Sequence, residues 1–167
     1  QLTLPSPIRE LVVTPNGTNA IALCGGALLL FELEPTGASL IGTQKVDGKS
    51  SQLVCSAGWC AVYESSKRVR VFEVPTLDER VLGAGHGASV NAVAWLNDGK
   101  RLVSLAAADR EIRVWDVNTA RTTFAFEVPE KGAEWLCPHP DGRSVVVGHG
   151  AGARVFSLET GIELSTL

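Results

Sequence analysis

An aromatic residue returns four times at nearly constant spacing, as Phe31, Phe72, Trp115 and Phe156, with intervals of 41, 43 and 41 residues. Each sits near the end of a short β-rich run: Leu28–Leu33, Val69–Val74, Ile112–Val117 and Ala153–Leu158. Each is followed by an acidic or hydroxyl residue and then an aliphatic one. A second marker keeps step with the first. Gly17, Gly58, Gly99 and Gly142 precede the aromatics by 14, 14, 16 and 14 residues. Three of these glycines close the turn-forming triplets Pro15-Asn16-Gly17, Asn97-Asp98-Gly99 and Pro140-Asp141-Gly142. Two markers in phase mean one supersecondary unit used four times.

A period in the low forties, built from strand-like runs, points to propeller blades rather than helical repeats. The third unit reads best. Val90–Trp95 alternates as a strand does, Asn97-Asp98-Gly99 turns the chain, and Arg101–Ala107 is the next strand. Asp109-Arg110 turns it again before Ile112–Val117, and Asn118-Thr119 leads to a fourth strand over Thr122–Val128. No stretch carries the apolar i, i+3, i+4 pattern of a helix. The expected fold is all-β: blades of four antiparallel strands, four repeats at about 7–45, 46–87, 88–130 and 131–167, forming a partial or self-completing propeller. Residues 1–6 are expected to add a closing strand, centred on Gln1–Leu4.

Composition narrows the function classes. A net charge of −3 and a pI near 5.6 give no electrostatic footprint for nucleic acid or an anionic membrane. No apolar run approaches the roughly 18 residues of a membrane span, and no signal peptide opens the chain. Methionine is absent, so the chain is expected to be a piece of something longer. The four cysteines, at 24, 55, 60 and 137, build no complete four-ligand zinc set. Cys24, Cys55 and Cys60, in or beside strand-like runs, read as small buried hydrophobes, and reduced cysteines suit an intracellular, cytoplasmic or nuclear, setting. No cofactor or metal is expected. Asn16-Gly17-Thr18 matches a glycosylation acceptor but reads first as a turn.

With Gly85-His86 ahead of its first strand and Trp115-Asp116 at the end of its third, the third unit resembles the WD-repeat (tryptophan–aspartate repeat) β-propeller family. The resemblance implies a structural hydrogen-bonded network of His86, Ser104, Asp109 and Trp115. A buried imidazole and indole N–H need partners, and a hydroxyl plus a turn carboxylate can supply them. The other units depart from this pattern. Gly25, Ser66 and Gly150 stand where Asp109 does, Phe replaces Trp, and Tyr63 is aligned with Ser104. A His–Asp–Ser set also invites a catalytic reading, but these three fall at network positions of a recurring blade, and no catalytic residue is expected. Cys137-Pro138-His139 leads into a turn. Gly148–Gly152 lacks the Lys-Ser/Thr and the helix of a phosphate loop.

A propeller without chemistry of its own works as a rigid platform for binding. Relatives in this family are mostly scaffolds, so the expected function is a non-enzymatic protein–protein interaction scaffold within a larger complex. The alternatives are an accessory or small-ligand-binding propeller of an enzyme, or a half-propeller that self-assembles into an eight-bladed ring. Aligned on their glycines, the units place Arg9, Ser50, Asn91 and Glu134 at one level of the innermost strands, facing the channel rim. Trp135 aligns with Glu10, Ser51 and Ala92, and Trp59 with Thr18, Lys100 and Arg143. Both indoles are therefore candidate contacts, or fillers of local gaps. Arg110, Glu111, Glu130 and Lys131 are further turn charges. Asn118 stands where ubiquitin-ligase adaptors of the family often carry Arg. The remaining blades are expected from the parent chain, a partner or a second copy, because open blade faces are apolar.

Overall fold

The computed structural model describes residues 6–47, 52–63, 67–82, 85–129, 132–150 and 152–167. Gln1–Leu4, Ser50, Ser51, Ser66, Glu130 and Lys131 lie outside the described residues. The chain is all-β. Among the described residues, sixteen strands form four sheets of four, each antiparallel and in sequential order. Blade 1 comprises β1 (Ile8–Val13), β2 (Asn19–Cys24), β3 (Ala27–Glu34) and β4 (Gly37–Lys45). Blade 2 comprises β5 (Gln52–Cys55), β6 (Trp59–Tyr63), β7 (Val69–Glu73) and β8 (Glu79–Val81). Blade 3 comprises β9 (Ala92–Trp95), β10 (Arg101–Ala106), β11 (Glu111–Asp116) and β12 (Arg121–Glu127). Blade 4 comprises β13 (Ala133–Pro138), β14 (Ser144–His149), β15 (Gly152–Ser157) and β16 (Glu163–Thr166).

Position within a blade explains the local sequence. A second strand is covered on both faces, so β2 reads Asn-Ala-Ile-Ala-Leu-Cys and is buried throughout. A fourth strand is wetted on one face, so β12 alternates exposed Arg121, Thr123, Ala125 and Glu127 with half-buried Thr122, Phe124 and Phe126. The core lies between blades rather than within one. Phe72 packs with Ile21, Leu23 and Leu30 of blade 1. Trp115 packs with Ala61 and Val71 of blade 2. Phe156 packs with Val103 and Val114 of blade 3. In blades 2, 3 and 4 the recurring aromatic therefore faces the preceding blade.

Hydrogen bonds reinforce these junctions at the repeat period. The Leu53 N–H donates to Glu10 Oε2 at 2.7 Å, and the Val93 N–H to Gln52 Oε1 at 3.4 Å. Trp95 Nε1 donates to the Val54 carbonyl at 3.1 Å, and Arg101 Nη2 to the Gly142 carbonyl at 3.3 Å. Contacts join blade 1 to 2, 2 to 3 and 3 to 4. Among the described residues, no comparable packing joins blade 4 to blade 1.

Blade 2 corrects the alignment made on glycines. Its first hairpin pairs Cys55 with Cys60, whereas the others pair Val13 with Ala20, Trp95 with Leu102 and Pro138 with Val145. The blade 2 turn is thus two residues shorter, and Gly58 is no guide to register. The partner of Glu10 across the repeat is Gln52 rather than Ser51. Trp59 stands level with Asn19, Arg101 and Ser144 rather than Thr18, Lys100 and Arg143, and Val62, not Tyr63, is level with Ser104.

Candidate functional site

Two features stand out: a polar chain inside blade 3 and apolar residues left exposed on the innermost strands of the two end blades. In the first, Ser104 on β10 is the hinge. Trp115 Nε1–H donates to Ser104 Oγ at 2.7 Å, and Ser104 Oγ lies 2.7 Å from His86 Nε2. The hydroxyl accepts from the indole and shares a second hydrogen bond with Nε2, whose direction follows the imidazole tautomer. Nδ1 faces Glu111 Oε2 at 3.3 Å, close but not aligned for a hydrogen bond. Burial of the ring, with the Arg113 guanidinium nearby, holds the His86 pKa below its ordinary value, against the opposing pull of Glu111 and Asp109. The imidazole is therefore neutral near pH 7.

Asp109 enters this network by another route. Its Oδ2 accepts from the Ala88 N–H at 2.6 Å, which fixes the segment following His86 rather than the ring. Gly87 leaves room here, since a Cβ would sit 3.0 Å from the same oxygen. His86, Asp109 and Glu111 place potential ligand atoms within 4.8 Å of one another. Arg113 Nε lies 2.8 Å from Glu111 Oε2, and a fixed cation at that oxygen opposes a second one. Ser104 faces no cavity and its hydroxyl is committed on both sides, so it has no access to a substrate. The arrangement latches β10, β11 and the segment preceding β9 together. Glu111, which the sequence reading took for a turn charge, shares a strand face with Arg113 and Trp115; the i, i+2 spacing was the signal.

The surface candidates are scattered. Arg9, Asn91 and Glu134 are all exposed at the same level of their innermost strands. Asn91 Oδ1 accepts from the Ala107 N–H at 2.7 Å and so serves its own blade. Arg110 occupies a left-handed turn position, φ 57°, and pairs with Glu127 at 3.3 Å. Trp59 is half-buried on the cluster between blades 2 and 3, with the Arg80 guanidinium 5.5 Å from its ring.

Trp135 lies on the flank of blade 4 rather than projecting from the rim. It is 53% exposed, where its equivalent Ala92 is 6% exposed inside a junction. Its indole lies flat on Gly148, so closely that a Cβ there would fall 1.8 Å from Cε3 and Cζ3. The residues level with Gly148 in the other blades are Leu23, Tyr63 and Leu105. The indole thus fills the volume those side chains occupy. At the opposite end, Leu11 is 56% exposed although its equivalents Leu53 and Val93 are 1% and 2% exposed. Ile8 and Val13 are exposed beside it.

Residues 79–116 match the family model of the WD domain, G-beta repeat. The matched stretch begins with β8 of blade 2 and runs through β9, β10 and β11 to Asp116, so the sequence repeat straddles two blades. It contains all four network residues and supports placing the chain in the WD-repeat family.

Proposed function

We propose that this WD-repeat chain is a non-enzymatic interaction scaffold whose two open flanks receive further blades within a larger assembly. WD repeats are generally interaction modules without catalysis, and the His86–Ser104–carboxylate cluster of blade 3 is consumed in holding a blade together. The observation that carries the reading is the contrast between Leu11 and its buried counterparts Leu53 and Val93. An apolar position that is sealed at Leu53 and Val93, and half-buried at Leu136 in the third junction, is left open at the end of the arc, as a docking face is.

The two ends carry opposite halves of the same kind of junction. Blade 1 presents Leu11 and Val13, the side that faces a preceding blade, and blade 4 presents Trp135, the side that faces a following one. Further blades can come from a longer parent chain, a partner or a second copy, and the last is the simplest to test. Two copies joined head to tail would make eight blades. Light scattering behind size exclusion should then give twice 17.7 kDa for the wild-type chain. Leu11→Glu and Trp135→Glu should each lower that mass, and a mixture of the two should recover it, because one undamaged junction remains. A folded 17.7 kDa monomer whose melting is unchanged by Leu11→Glu would overturn the docking role of the flanks.

A further inference from the structure

All four cysteines are free thiols: Cys24 and Cys60 buried, Cys55 half-buried and Cys137 exposed. Cys55 and Cys60 are direct partners across β5 and β6. The phase of that ladder can be read from the turn. The Ser56 N–H donates to the Trp59 carbonyl at 2.7 Å, so 56/59 is a hydrogen-bonded pair and 55/60 is the next, non-hydrogen-bonded one. The same phase recurs where Thr14 bonds Asn19, Leu96 bonds Arg101 and His139 bonds Ser144. Non-hydrogen-bonded partners bring their Cα atoms to about 4.5 Å, with side chains on one face. A disulfide accepts Cα separations of roughly 4.4–6.8 Å. Both cysteines belong to the apolar cluster between blades 1 and 2, Cys60 within it and Cys55 packed against it.

We propose that Cys55 and Cys60 are a redox modification site that closes to a cross-strand disulfide on reaction with a low-molecular-weight disulfide. Access is through Cys55, which lines a cleft of about 400 Å³ with Pro15, Trp95 and Asn97. The Cys55 thiol beside it and burial push the Cys60 thiol well above its ordinary pKa, so Cys60 is not the first nucleophile. The Cys55 thiolate attacks one sulfur of the oxidant, forms a mixed disulfide and releases one thiolate. That thiolate takes the Cys60 proton. The Cys60 sulfur then attacks the Cys55 sulfur and expels the second thiolate. Two protein thiols lose two protons and two electrons, and the small disulfide is reduced to two thiols. The three other blades carry Val13–Ala20, Trp95–Leu102 and Pro138–Val145 at this level, so the chemistry belongs to blade 2 alone.

The test is to treat the folded full-length chain with oxidised glutathione and map its peptides without reduction. Cys55 and Cys60 fall in one tryptic peptide, residues 50–67. That peptide should become lighter by about 2 Da, for two hydrogens lost, independently of protein concentration, and dithiothreitol should restore it. Exposed Cys137 should carry a glutathione adduct, which shows that the reagent is active. Cys60→Ser should instead trap the adduct on Cys55, and Cys55→Ser should leave Cys60 unmodified. A stable adduct on Cys55 of the wild-type chain would overturn the proposal. So would an untouched 50–67 peptide while Cys137 reacts.

Discussion

Blades 3 and 4 share strand order, antiparallel pairing and the position of the recurring aromatic, yet they hold that aromatic by different means. In blade 3 the indole of Trp115 is tied through Ser104 to His86, with Arg113 5.8 Å from its ring. In blade 4 Phe156 has no polar atom to satisfy and rests 5.9 Å from Phe126 of the preceding blade, among Val103, Val114 and Val147. The polar chain is not what makes a blade. Register and a sealed apolar junction make it, and the hydrogen bonds are what a buried Trp and His require once they are present. Blade 4 also shows a face being rebuilt by exchange, with Trp135 on β13 and Gly148 on β14 where blade 3 has Ala92 and Leu105.

The comparison can be broken most directly at Phe156. Phe156→Ala should cost about 3–5 kcal/mol, because the cavity opens inside the junction of blades 3 and 4. Urea unfolding followed by circular dichroism measures it, and a cost below about 1 kcal/mol would mean that the junction is not the core. Ser104→Ala comes next. It removes one hydroxyl but orphans two buried groups, the indole N–H and imidazole Nε2, at roughly 1–3 kcal/mol each. If the variant is as stable as the parent, blade 3 is held as blade 4 is, and the network is incidental.

Much of the fold was legible because two signals of different origin ran in phase. The aromatics mark the face each blade turns to its predecessor, and three of the glycines mark turns that need a left-handed residue, with φ of 72°, 65° and 66° at Gly17, Gly99 and Gly142. The signal failed where only one of the two applied. Gly58 belongs to a shortened turn, so alignment on it moved Trp59 and Tyr63 by one residue, and in a strand one residue changes the face. The role of Trp135 could not be read from its own position. It depends on Gly148, its cross-strand partner, and only the pairing of β13 with β14 reveals that one compensates the other. Asp109 was legible as a network residue, but its choice of the Ala88 N–H over the imidazole depends on backbone geometry that spacing does not encode.

The exchange on blade 4 predicts a coupling. Gly148→Ala should destabilise the parent by about 1–3 kcal/mol, since the new methyl and the indole compete for one volume. The same substitution made in a Trp135→Ala background should cost far less, and Trp135→Ala with Gly148→Leu should restore the arrangement of the other blades. A double-mutant cycle reads the difference, expected at about 0.5–3 kcal/mol. Independent, additive effects would mean that the indole does not need the glycine.

The smallest effect is electrostatic and separates the two blades most cleanly. His86 has a depressed pKa in the folded protein, from burial first and Arg113 second. The unfolded chain therefore takes up that proton at a higher pH, near the ordinary value of 6.5. Stability tied to His86 is fully present above that value and declines as pH falls towards the folded pKa. Glu79, Asp98, Asp116, Asp141 and Glu163 also have lowered pKa values, but their ordinary values are 4.5 or 3.8, so their losses begin lower. A shallow loss of melting temperature should thus start just below pH 6.5 in the wild-type chain. It should vanish in His86→Asn while the later, carboxylate-driven loss remains. A decline that survives in His86→Asn would leave the blade 3 network without a charge of its own to resist.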